Sequence, residues 1–156
     1  MTNHTATQRD TTIHSESRSL TVLAWLDARN DATPGAHLTA SDDALLWYTP
    51  ILGPTAMLMA HRFATNAVHG PTSWTYPSLA RTFGMGRAAG RVPRILDRLE
   101  RFDIICRPDP HTIAVRLLLA PLTAHQREQL PDELAVAYPH PPHVPVTTAT
   151  ATDDAR

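Results

Sequence analysis

The stretch from Arg91 to Phe102 constrains this chain most. Val92, Ile95, Leu96, Leu99 and Phe102 recur at i, i+3, i+4, i+7 and i+10, which places one apolar stripe along an α-helix. Pro93 falls in the first turn, where the missing N–H costs nothing. On the polar side Arg91, Arg94, Arg98 and Arg101 repeat at three- and four-residue spacing. The period then changes. Ile104-Ile105-Cys106 leads into Arg107-Pro108-Asp109-Pro110-His111, and Ile113, Val115 and Leu117 alternate after it. That pattern predicts strand, tight turn, strand.

The segments before and after are read in the same way. Leu20–Leu26 is an apolar cluster whose period does not decide between short helix and strand. Asn30–Thr39 reads as loop. Ser41 is placed to cap a helix over Asp42–Tyr48, with Asp42 and Asp43 at the end that favours negative charge, and Pro50 should interrupt it. Pro54 opens a helix to about Val68, its face built from Met57, Leu58, Phe63, Ala64 and Val68 with small Ala56, Ala60 and Ala67. Thr75–Gly84 reads as a short helix with Pro77 in its first turn and glycine at its end. Met85–Gly90 is a glycine-punctuated turn. Thr123-x-x-Gln126 has the form of a capping box and should start a helix to about Leu130, with Pro131 opening another turn to about Tyr138.

Composition bounds the rest. The 156 residues suit one domain. Residues 1–18 and 139–156 are poor in large apolar side chains and rich in Thr, Ser, Pro, His and Ala, so they are expected to be disordered tails. They flank a domain over 19–138 with its core at 54–119. The extended Pro139–Pro145 stretch is a spacer, or a ligand for an aromatic groove. The formal net charge is −1, so a broad nucleic-acid surface is excluded and any such contact must be local. All 14 basic residues are Arg, the side chain suited to phosphate and to guanine edges. Seven of them lie in residues 81–107 against three carboxylates, a local charge of +4. A single cysteine, Cys106, rules out an internal disulfide and fits a cytoplasmic location. No apolar run spans a bilayer, and no basic-then-apolar N-terminal leader is present.

The order helix, short helix, glycine turn, amphipathic helix, hairpin over about residues 54–119 resembles the winged helix-turn-helix superfamily of bacterial transcription regulators. Leu79-Ala80 before Phe83-Gly84, then Val92…Ile95-Leu96…Leu99, then Phe102-Asp103-Ile104-Ile105 carry the likeness. Tyr48–Pro54 and Pro121–Pro131 are similar to segments of winged-helix-like proteins from high-GC Gram-positive bacteria, a group that implies no activity. The resemblance implies a mainly α fold with a small β-hairpin, extra short helices and disordered tails. It also implies a DNA-binding regulator or accessory factor that is no enzyme. Its partner would be double-stranded DNA. The contacts would be Arg87, Arg91, Arg94, Arg98 and Arg101 around the third helix, with Arg107 and His111 in the wing. A homodimer through residues 20–48 or 123–138 would match paired half-sites. The other reading is a protein-interaction module, favoured by the neutral total, the long 84–90 turn and Pro93.

Other chemistries find little footing. His140 and His143 lie among prolines, and His61 and His69 are eight apart with no partner at ligand spacing, so no metal is expected. Gly84–Gly90 lacks the preceding strand and the spacing of a dinucleotide fingerprint, and no cofactor is implied. Cys106 reads as a small core residue, or as a redox sensor with Arg107 stabilising a thiolate. Trp25, Trp47, Trp74, Tyr48, Tyr76 and Phe83 read as core or interface, with Trp74 and Tyr76 also placed to touch phosphate or base.

Overall fold

A computed structural model describes residues 19–26 and 33–139. The predicted tails, apart from Pro139, lie outside these. The chain begins in strand β1, Ser19–Trp25, and a short strand β2, His37–Leu38. Helices α1, Asp42–Leu52, and α2, Pro54–Ala67, follow. Strand β3, Thr72–Thr75, runs straight into α3, Tyr76–Thr82. A 3-10 turn, Ala89–Arg91, leads into α4, Val92–Arg101. Strands β4, Ile105–Asp109, and β5, Thr112–Arg116, form a hairpin, and β6, Leu118–Leu119, pairs with β2. Helices α5, Ala124–Arg127, and α6, Asp132–Ala137, end the described chain.

The main sheet has the order β3-β1-β5-β4. β1 runs antiparallel to β3, with Leu20 opposite Trp74, and parallel to β5, with Val22 opposite Ile113. This overturns the expectation of a mainly α winged helix-turn-helix. The fold is mixed α/β: a four-stranded mixed sheet with six helices among the described residues. The helices and hairpin expected over 54–119 do form. The cluster at 20–26, whose period was ambiguous, becomes a strand between β3 and β5 and makes the sheet. A parallel pair needs a long crossover, and α1 to α4 supply it.

α2 packs against α1 and α4 and against strands β1 and β5. Ala56, Met57, Met59, Ala60, Phe63, Ala64 and Ala67 are buried there. Leu58 and Val68, expected on this face, are about half exposed instead. Their place is taken by Met59, because the buried stripe is centred one position further along. On α4, Val92, Leu96 and Leu99 are buried as predicted, while Phe102 lies past the helix end and is 37% exposed.

Three boundaries moved for identifiable reasons. Ser41 caps α1 by accepting the Ala44 N–H, but the helix runs through Pro50 to Leu52. A helix-interior proline costs about 3 kcal/mol, and burying Ile51 and Leu52 returns about 1.5–3 kcal/mol each. Gly53 then breaks the chain at φ +82, a conformation glycine adopts without penalty. Residues 72–75, of which only Thr75 has an expected place, at the start of a helix, pair with β1 as an edge strand. In the hairpin the turn is only Pro110-His111, and the register shifts between Cys106 and Asp109. That bulge accommodates Pro108, which cannot donate to a ladder.

The C-terminal helices close on this frame. The Thr123–Gln126 capping box is formed in both directions. Tyr138 is buried against Trp47, with ring centroids 5.3 Å apart, and its hydroxyl accepts the Leu122 N–H at 2.8 Å. The Tyr48 hydroxyl donates to the Ala120 carbonyl, and burial pushes its phenol well above the usual range. No described helix is long and apolar enough to cross a membrane.

Candidate nucleic-acid interface

The basic set divides along α4. At its start, Arg91 occupies the N-cap and Arg94 the first turn, and no acidic residue stands in that turn. Both are exposed, as is Arg87 in the preceding turn. Positive charge at a helix N-terminus opposes the macrodipole, so these arginines are not placed for helix stability. No ion pair or side-chain hydrogen bond joins Arg81, Arg87, Arg91 or Arg94 to another described residue.

The second half of the helix is different. Arg107 on β4 pairs with Asp97 at 2.6 Å and Glu100 at 3.4 Å. Arg101 Nε donates to the Asp97 carbonyl at 3.4 Å, at the limit of a hydrogen bond. Arg98 donates to the Ile51 carbonyl at 2.7 Å and lies over Phe102, so it ties α4 to the end of α1. His111 sits in the β4–β5 turn, where its carbonyl accepts the Thr21 N–H and its own N–H goes to Asp109. That donation holds the Asp109 carboxyl below its ordinary range. The seven expected contacts therefore separate: Arg87, Arg91 and Arg94 make no ion pair with another described residue, Arg98 and Arg107 tie α4 to α1 and β4, Arg101 reaches only its own helix, and His111 lies on the hairpin.

Two concavities flank the start of α4. One, about 410 Å³, lies between residues 52–56 and α4 and takes in Arg91, Arg94 and Arg98. The other, about 310 Å³, is bounded by Pro77, Arg81, Gly86, Arg87 and Ala89. No carboxylate lines either. Arg81 lines the second of these with Arg87, and in the sequence it stands out only as one more arginine near the turn. No protein-family model matches the chain, and no curated protein or solved structure is significantly similar to it. The site therefore rests on geometry and charge.

The remaining candidates resolve into packing. Trp74 lies near Phe63 at 6.2 Å and donates to Thr72. Trp25 stacks on the Arg116 guanidinium at 3.8 Å. Arg116, which sequence reasoning passed over, is buried in β5 and holds Asp103 through its carboxylate and carbonyl. Its only signal was an Arg within an alternating strand. Burial pushes the Cys106 thiol up and Arg107 is committed to Asp97 and Glu100, so neither condition for a reactive thiolate is met. No group of three or more potential metal ligands occurs among the described residues.

Proposed function

We propose that the chain binds double-stranded DNA by its phosphate backbone, through Arg87, Arg91 and Arg94 with Arg81 beside them. In this reading it serves as a transcription regulator or DNA-associated accessory factor and not as an enzyme. The observation that carries the proposal is the four unpaired arginines around the positive end of α4, at a cost to helix electrostatics and with no carboxylate between them. A duplex laid along the whole helix would meet Asp97 and Glu100, so the contact is made by the N-terminal end alone. Each phosphate neutralised should steepen the salt dependence by about 0.9 units of log K against log salt.

The protein-interaction reading draws on exposed apolar side chains. Leu26, Leu38, Leu46, Leu58, Val68 and Val136 are spread over many elements, and single exposed apolar residues are ordinary. In the described residues of 20–48 and 123–138, the segments expected to dimerise, the exposed large apolar side chains are Leu26, Leu38, Leu46 and Val136, whereas Leu20, Val22 and Tyr138 are buried in the core.

The test is binding of a mixed-sequence duplex across a salt series. The variant R87A/R91A/R94A should bind more weakly, with a slope lower by about three units, while R101A and H111A stay near wild type. A wild-type chain that shows no salt-sensitive binding to the duplex removes the DNA reading.

A further inference from the structure

The cleft between residues 52–56 and α4 has more structure than a DNA backbone contact requires. A duplex phosphate needs only an exposed guanidinium. Here Arg91, Arg94 and Arg98 edge a concavity of about 410 Å³ whose other lining includes Pro54, Met85 and Ile95, apolar residues that keep some exposure. That volume falls in the range of about 300–1,000 Å³ typical of small-molecule clefts, where a few polar groups fix orientation against an apolar wall. Arg98 is held by the Ile51 carbonyl at 2.7 Å. A guanidinium has five donor N–H groups, so this bond orients it while leaving donors for a ligand. Ile95 stands on α4, and this same bond ties that helix to the end of α1 beside the cleft.

We propose that this cleft binds a phosphate ester of mononucleotide size, its phosphate on Arg91, Arg94 and Arg98 and its body against Pro54, Met85 and Ile95. Several guanidiniums on one phosphate give charge-assisted, bidentate contacts, and the absence of a lining carboxylate leaves them uncompensated. Because Arg91 and Arg94 also serve the duplex, ligand and DNA compete. The cleft's occupancy by a small ligand does not depend on the duplex reading.

The probe is AMP, titrated into the 15N-labelled full chain, with inorganic phosphate and adenosine as separate arms. AMP should bind saturably with Kd of about 1 mM or tighter, shifting the amides of Gly53, Thr55, Ala56 and Met85. R94A should weaken it about tenfold, R94K should recover part of the loss, and R101A should leave it unchanged. Phosphate and adenosine alone should each bind at least about tenfold more weakly than AMP, since each fills only half of the site. The proposal is overturned by no saturation up to about 10 mM AMP, by undiminished affinity in R94A, by shifts elsewhere, or by equally tight binding of inorganic phosphate. In a second measurement, AMP should displace a labelled duplex in proportion to its occupancy, and simultaneous binding of both counts against the shared arginines. A duplex that never binds sinks the DNA reading alone, because the AMP titration is read without it.

Discussion

At the scale of single residues, two side chains carry more than their neighbours. Asp103 links α4 to β4 at φ +57, a left-handed conformation that L-residues other than Asn and Asp rarely take. Its carboxylate meets Arg116 at 2.5 Å, and its carbonyl accepts from Arg116 Nε at 2.6 Å. The carboxylate is largely exposed, so the ion pair itself contributes little; the backbone geometry is what matters. Asp103→Ala should therefore be more destabilising than Asp103→Gly, by about 1 kcal/mol, in urea unfolding. Equal losses would place the cost in the ion pair. Tyr138 is the second. Tyr138→Phe keeps the ring against Trp47 but strands the buried Leu122 N–H, a loss of about 1–3 kcal/mol. A neutral result would mean that water reaches that amide.

At the scale of elements, α4 carries opposing demands. Its apolar side is the part of the sequence most readily interpreted. Leu96→Ala and Leu99→Ala should each cost about 2–5 kcal/mol, and Ile95→Ala less, because Ile95 borders the cleft and is only partly buried. Its basic start runs against the macrodipole. Arg94→Glu should therefore stabilise the fold by about 0.3–1 kcal/mol and raise the thermal midpoint, while weakening duplex binding. A midpoint that falls would show that Arg94 is structural, which would remove the reason for reading that face as functional.

At the scale of the whole molecule, β1 decides the architecture. It pairs on both edges, so a chain cut to residues 54–119 leaves a gap between β3 and β5. Such a fragment should show no cooperative unfolding by calorimetry, and a sharp transition would prove the helices and hairpin self-sufficient. His37 couples the two ends of the domain, its ring 6.0 Å from Tyr48 and 5.9 Å from Tyr138. Burial lowers its pKa from 6.5, with Asp43 partly opposing. The unfolded chain therefore takes up a proton that the fold resists. Stability from this group is complete above pH 6.5 and is lost as pH falls toward the lowered folded value. His37→Gln should flatten that part of a stability-against-pH curve, and an unchanged slope would clear His37. Local pattern was enough to place α2, α3, α4, the β4–β5 hairpin, the Thr123 capping box and the concentration of arginine around 81–107, because helical period, capping chemistry and turn residues act over a few positions. The strand character of 19–25, the pairing of 72–75 and the passage of α1 through Pro50 depended on partners far along the chain. The same is true of the arginines. The four along α4 looked equivalent by spacing, with Arg87 and Arg107 to either side, and only the packed structure assigned Arg98 to Ile51 and Arg107 to Asp97 and Glu100 while leaving Arg87, Arg91 and Arg94 without an ion pair among the described residues. Charge spacing is a local property, whereas neutralisation depends on which surfaces the fold brings within about 4 Å.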